Sequence, residues 1–528
     1  MKKVGRNVQI GCAWVVACLM AGSAVVSVAQ YVDPNKLPEP GVIPIQPTKK
    51  SVFAPKPANV SLTAPPGFTV TLLTEGLPAG ARWMTTAPNG DIFVSGYLSN
   101  KIMILRDGSK DGRYNTKFIY LPTGAGAPGN DRTNRGSNRS GRNFAPAQTA
   151  PAATGGSPAA GGATAGRSAS APARAGSQNE GPSPMSIDPS TGLPRGEAAT
   201  RAAALPCKAN TPGVTGTTGI KNPMGMAFHG GYLYIANTDS IVRYEYTPGD
   251  HEAMGEPERV ALLPSGGVNN QRNMVFNRAG TKMYVSIGSN SNNLAGEDCR
   301  RAAIMEYNID GSGGKVYASG LRNPLALAWQ PGSDILWTTV TERYGYGDDL
   351  VPDFATSLVD GGFYGWPYTY IGKHYDPKYL GGQTAIVKNS LTPDVVLPAH
   401  SAPSGIAFYA PFTPAPARQF PAQFWGMFLS LSGSTNDSSV ARGYKVVFVP
   451  FAQGGKPVPS AMVDFVTGFV LSDGQDGKPI TYWGRPTALL VANDGSLLIL
   501  DEAEPTSANV NSSKIWRVTY TGVAPAAQ

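Results

Sequence analysis

Alternating aliphatic and aromatic positions recur along this chain, each run placed directly after a tight-turn signal. The units are PNGDIFVSG (88–96), HGGYLYIAN (229–237), RAGTKMYVSIG (278–288), PGSDILWTTV (331–340), QFWGMFLSLSG (423–433) and NDGSLLILDE (493–502). Gly, Asn or Asp before an alternating run is the pattern of a β-hairpin entering a buried strand. No helical period is sustained, which disfavours helix-rich folds. The interval from Tyr284 to Trp337 is near the size of one propeller blade. Six units therefore predict an all-β chain, a six-bladed β-propeller over residues 61–520. Such a fold gathers loops from every blade at the mouth of a central channel, where a ligand would bind.

Three segments fall outside this pattern. Lys2, Lys3 and Arg6 precede an apolar run from about Ile10 to Val28, and Ser27-Val28-Ala29 offers small residues for cleavage. Residues 1–29 read as a secretory signal, with an uncleaved anchor as the alternative. No other segment is apolar and long enough to span a bilayer. Residues 30–60 form an extended lead-in, and 521–528 a short tail. Residues 123–203 are rich in Ala, Gly, Pro, Ser and Arg, with Phe144 as the one aromatic residue between Tyr120 and Phe228. Too little apolar surface is available there to offset ordering, so a disordered insert is expected.

Charge and cysteines sharpen this picture. Of the net charge of +8, three units sit in the signal and four in residues 123–201, leaving the folded part near neutral. Charge therefore gives no argument for nucleic acid or membrane surfaces. Once the signal carries away Cys12 and Cys18, Cys207 and Cys299 remain. In an exported chain this pair tends to close; two buried free thiols are the alternative. A periplasmic or secreted location follows from the same reading.

The densest chemistry lies between Gly320 and Gly372. GLRNPLALAW (320–329) is followed by TERYGYGDDLVPDF (341–354) and DGGFYGWPYTYIG (360–372). Carboxylates and carbonyls in a Gly-rich loop suit a hard cation. Arg322 and Asn323 offer a forked cation and an amide for a ligand's carboxylates and carbonyls. This stretch resembles the glucose/sorbosone dehydrogenase family, whose members bind pyrroloquinoline quinone (PQQ) and calcium on a six-bladed propeller. Similar segments occur in the family's order: 62–73, 88–96, 222–228, 272–292, 301–313, 400–409 and 443–451.

The resemblance implies oxidation of a sugar hydroxyl or aldehyde hydrate, with electrons passed on to an external acceptor. Arg322 and Asn323 match the pair that contacts PQQ, and Arg485 is placed to join them. Tyr344, Gly345, Asp348 and Asp349 match the calcium region, and Tyr364 is a candidate for a further carbonyl. Three positions depart from the family's pattern. Asn269 stands where a His is expected, and an amide cannot serve as a general base. Met224 replaces the His of a Pro-His-Gly segment, and Ser432 and Asp437 replace a His and an Arg. His400 is then the leading substitute base, ahead of His374. The competing function is a non-catalytic propeller that binds a carbohydrate or protein partner, its cofactor site decayed.

Overall fold

The computed structural model describes residues 27, 29–40, 51–120, 219–380, 387–433, 438–475, 478–502 and 512–522. The insert at 123–203, most of the signal, Cys207 and Asp437 lie outside them.

Among the described residues six sheets of four or five strands form. Blade one runs Ala81–Thr86, Ile92–Gly96, Lys101–Arg106 and Thr116–Tyr120 from the inner edge outward. Blade two comprises Met226–His229, Tyr232–Ala236, Ser240–Glu245 and Met254–Leu262. Blade three is Arg272–Phe276, Lys282–Ile287, Ala303–Asn308 and Lys315–Ser319, with Gly362–Phe363 added in parallel. Blade four uses Pro324–Trp329, Leu336–Val340, Pro352–Ser357 and Val395–Ala399; blade five uses Pro403–Tyr409, Gly426–Leu431, Lys445–Pro450 and Val463–Val466. In blade six, Pro486–Val491, Leu497–Asp501 and Lys514–Tyr520 are completed by Phe68–Glu75 from the other end of the sequence.

Each inner strand touches the inner strands of its two neighbours, and blade six meets blade one, so the ring closes. This is the six-bladed propeller that the turn spacing predicts. All six turn-and-strand units turn out to be the second strand of a blade and the hairpin before it.

The packing explains why those strands are so apolar. A blade is covered on both faces by neighbouring blades, so Ile92–Gly96, Leu336–Val340 and Leu497–Asp501 are buried at every position. One central cluster gathers Trp83, Met84, Met224, Leu325, Ala326, Ile406 and Ala488 from the inner strands and their approaches. Between blades two and three the backbones nearly touch. A Cβ on Gly225 would lie 2.4 Å from Asn273 Oδ1 and 2.7 Å from the Met274 amide nitrogen. Glycine is thus required after Met224, whose side chain is spent on the core.

Candidate functional site

All six inner strands begin at the same end of the ring, because each runs outward to a hairpin at the other end. Their first residues bring Arg82, Met224-Gly225, Arg272, Arg322-Asn323, His400 and Arg485 to one mouth.

Arg322 is buried. Its Nε donates to the Asn292 carbonyl (3.1 Å), and Nη1 donates to the carbonyls of Glu342 (2.8 Å) and Thr341 (3.3 Å). The guanidinium carbon lies 5.4 Å from the centre of the Tyr344 ring. Burial pushes its pKa down, with Glu342 opposing. No carboxylate within ion-pair distance neutralises it among the described residues. Asn323 Oδ1 is buried and accepts no hydrogen bond.

Arg272 repeats the theme. Nη1 donates to the carbonyls of Asn269 and Gln271 (both 2.8 Å) and Nη2 to that of Pro264 (2.9 Å), leaving Nε unpartnered. Burial, then repulsion from Arg301, lower its pKa to about 9. Arg301 is likewise held by the carbonyls of Gly288, Ser265 and Gly266. On the opposite side, Arg485 donates to the carbonyls of Ser432 and Gly433. Fully buried Glu502 lies 2.7 Å from Arg82 and 3.6 Å from Arg485. Neither Glu502 oxygen receives a well-directed hydrogen bond, and Arg82 Nε also lacks a partner. Buried cations satisfied mainly by neutral carbonyls, with donors left over, make a mouth suited to an anionic ligand.

His400 stands just before the inner strand of blade five, next to blade four, with a left-handed backbone (φ 63°). Its Nε2 is 2.8 Å from the Gly347 carbonyl. A carbonyl only accepts, so Nε2 carries the proton and Nδ1 is the basic nitrogen of the neutral ring. Asn269 turns its Nδ2 onto Ser289 Oγ (2.8 Å) and lies beside Asn323 across Gly288.

The loop named for calcium is arranged differently from its expected role. The Tyr344 amide and carbonyl are both bonded to the Asn292 side chain. Both Asp348 oxygens are taken by the backbone and hydroxyl of Ser439. Burial opposes ionisation of Asp348, but these bonds prevail and hold its pKa below the ordinary value. Asp349 points instead to Arg442 (2.9 Å). Gly345 supplies a turn with φ 100°. Tyr364 packs in the core of blade four, its hydroxyl bonded to the Ser357 carbonyl at the far end of the blade. Among the described residues no three His, Cys, Asp or Glu side chains are grouped to hold a metal. His374 is bonded to the Pro34 carbonyl and stacked on Tyr370. Cys299 is disulfide-bonded.

Two acidic residues of the 341–354 stretch have structural work that sequence reasoning missed. Glu342 and Asp376 flank Arg343, all three fully buried. Asp353 accepts from the Glu342 amide through one oxygen and from the Ala402 amide through the other, both at 2.7 Å. It thereby ties the strand end holding Arg322 to the turn holding His400. Burial pushes its pKa up to about 7. Arg82, Arg272, Arg301 and Glu502 were also not singled out. A signal for two of them was present: Arg82, Arg272, Arg322 and Arg485 each open an inner strand, with a hairpin glycine at 90, 280, 332 and 495.

Comparison with known proteins agrees with this architecture. Residues 263–417 match the model of the family described as Glucose / Sorbosone dehydrogenase, and residues 382–504 match one described as TrAA12-like. A pyranose dehydrogenase PQQ domain from Coprinopsis cinerea, in its holo form, superposes with TM-score 0.53 at 15% identity, covering 88% of this chain and 98% of that one. A calcium structure of a family AA12 carbohydrate-active enzyme from Trichoderma reesei gives TM-score 0.55 at 14% identity over 88% of this chain and 99% of that one. An uncharacterized protein of Borreliella burgdorferi is 26% identical over 315 residues, 57% of this chain and 76% of its own length. Over residues 263–417 this chain is thus similar to the glucose/sorbosone dehydrogenase family, and its fold is the six-bladed β-propeller of the solved structures it superposes on.

Proposed function

We propose that this protein is a PQQ-dependent oxidoreductase acting on a sugar hydroxyl or aldehyde hydrate. The observation that carries the reading is the set of buried arginines at the mouth: Arg272, Arg301 and Arg322 are held by backbone carbonyls, while Arg82 and Arg485 share the single carboxylate of Glu502. Arg82 and Arg272 keep unpartnered Nε–H groups, and Asn323 keeps an unpartnered oxygen. A planar ligand bearing several carboxylates and carbonyls supplies what these groups lack. Bound there, PQQ would supply a two-electron hydride acceptor. Arg322, Asn323 and Arg485 would hold and orient it. His400 Nδ1 is the basic nitrogen that would take the substrate's hydroxyl proton.

Calcium does not fit the arrangement of the 344–349 loop, since Asp348 and Asp349 are engaged by Ser439 and Arg442. No step is therefore routed through a metal. Export to the periplasm or beyond is part of the proposal, supported by the disulfide at Cys299 and the basic-then-apolar N-terminus.

The test is a titration of purified protein with PQQ, with and without calcium, followed by absorbance and calorimetry. Saturable binding that is lost in Arg322→Ala, with near-UV circular dichroism unchanged, supports the enzyme and calls for a screen of aldoses with an artificial acceptor. A folded protein that takes up no PQQ under either condition sinks the proposal. The non-catalytic propeller, favoured by the amide of Asn269 at the mouth, would then stand.

A further inference from the structure

The other end of the propeller carries a cleft of about 400 Å³ that the proposed reaction does not use. Its walls are hairpins from three blades: residues 89–91 and 107–114 of blade one, 493–494 of blade six, and Arg418 from the loop joining the first two strands of blade five. These turns follow the inner strands or lie at the same end as those that do. The cleft thus opens away from Arg322, His400 and Arg485.

Beneath it lies Arg517, 7% exposed, on the third strand of blade six. Its Nε and Nη2 are buried and make no hydrogen bond; the nearest carboxylate, Asp494, is 4.0 Å away, too long for one. Burial lowers its pKa, as expected of a cation with incomplete compensation. Arg517 does not itself line the cleft; its Nη1 is the nitrogen that comes up behind the lining residue Gly112. A Cβ on Gly112, which lines the cleft, would lie 3.3 Å from Arg517 Nη1 and 3.0 Å from Arg418 Nη1. Gly112 has φ 81°, so no side chain is readily accommodated, and only its backbone stands between the cleft and the Nη1 atoms of Arg418 and Arg517. Tyr114, half-buried, stands at the wall with its ring centre 5.9 Å from the Arg517 guanidinium carbon.

The chemistry of the walls selects the ligand. Asp91, Asp107, Asp111 and Asp494 are matched by Lys110, Arg418, Arg517 and by Arg106, which is paired to Asp91. This balance of charge favours neither a strong anion nor a strong cation. The carboxylates are not grouped to hold a metal ion. Asp107 and Asp494 each accept hydrogen bonds on both oxygens, yet a carboxylate has about four acceptor positions, so room for donors remains. A ligand that both donates to carboxylates and accepts from Arg517, with an apolar face for Tyr114, is a neutral polyhydroxylated ring. We propose that this cleft is a second, non-catalytic carbohydrate site, sized for one or two sugar residues, on the face opposite the candidate active site. It would hold a glycan chain to the protein independently of any cofactor.

The test is calorimetric titration of the full-length protein, without PQQ, using cellobiose as the probe. Saturable binding is expected in the wild type and equally in Arg322→Ala. It should weaken at least about tenfold in Tyr114→Ala and in Arg517→Met. Should Arg517→Met fail to fold, Arg418→Ala replaces it with the same expected loss. Absence of saturable heat overturns the proposal, as does binding indifferent to these variants. Sodium sulfate or calcium chloride binding in place of cellobiose, lost in the same variants, would show an ion site and also overturn it. Since the probe is used without PQQ, failure here and failure of the dehydrogenase reading are separate results.

Discussion

Asp353 shows how much one residue does in this site. It receives an amide from each of two turns, one whose carbonyls hold Arg322 and one leaving His400. Its carboxyl titrates near 7 because burial disfavours the charge more than its two amide bonds favour it. The folded state therefore binds a proton that the unfolded state has already released between the ordinary value of 3.8 and about 7. The stability due to this proton is full below the lower value and lost as pH rises through the upper one. Asp353→Asn turns an N–H toward one of the two amides, and a loss of about 1–3 kcal/mol is expected. Thermal melts of both proteins at several pH values should show the gap between them narrowing as pH rises from 4 to 8. A gap that widens would contradict the assignment. Arg322 and Asn323 were legible in the sequence because they stand in a recognisable segment. Asp353 was quoted only as one of several loop acids, since nothing local distinguishes a carboxylate that caps two distant amides from one in solvent.

At the scale of elements, the second strand of every blade was legible, and most outer strands were not. A second strand follows a short hairpin and is covered on both faces, so turn chemistry and apolar content agree. Outer strands such as Thr116–Tyr120 and Met254–Leu262 are largely exposed and mix polar with apolar residues, which weakens the signal. The calcium loop illustrates a different limit: its carboxylates are engaged by Ser439 and Arg442, residues some ninety positions away along the chain. Within blade four, Trp337 is buried, donates its indole N–H to Gln330 (3.0 Å), and packs edge-on against Phe408 and Phe451 of blade five. Trp337→Ala removes this inter-blade contact and should cost roughly 3–5 kcal/mol, read as a lower urea midpoint. A loss under 1 kcal/mol would mean that the blades are held together elsewhere.

For the whole molecule, closure depends on two strands from opposite ends of the sequence. Phe68–Glu75 pairs with Lys514–Tyr520, and Phe68 packs at 4.8–5.1 Å from Phe420, Phe424, Phe465 and Tyr520. Phe68→Ala should loosen blade six first. Limited proteolysis should then cut between residues 60 and 80 sooner than in the wild type, with blades two to four still protected. Uniform sensitivity across all blades would show instead that the ring opens as a unit.

That junction also bears on how the chain is made. Until residues 514–520 have been made, the strand at 68–75 lacks its partner in blade six. The growing chain must carry that unpaired edge while the blades between are synthesised, a state prone to pairing with other chains. A ring fastened by strands so far apart in sequence cannot shut until every blade between them has been made, so its closure reports on the whole of the intervening chain.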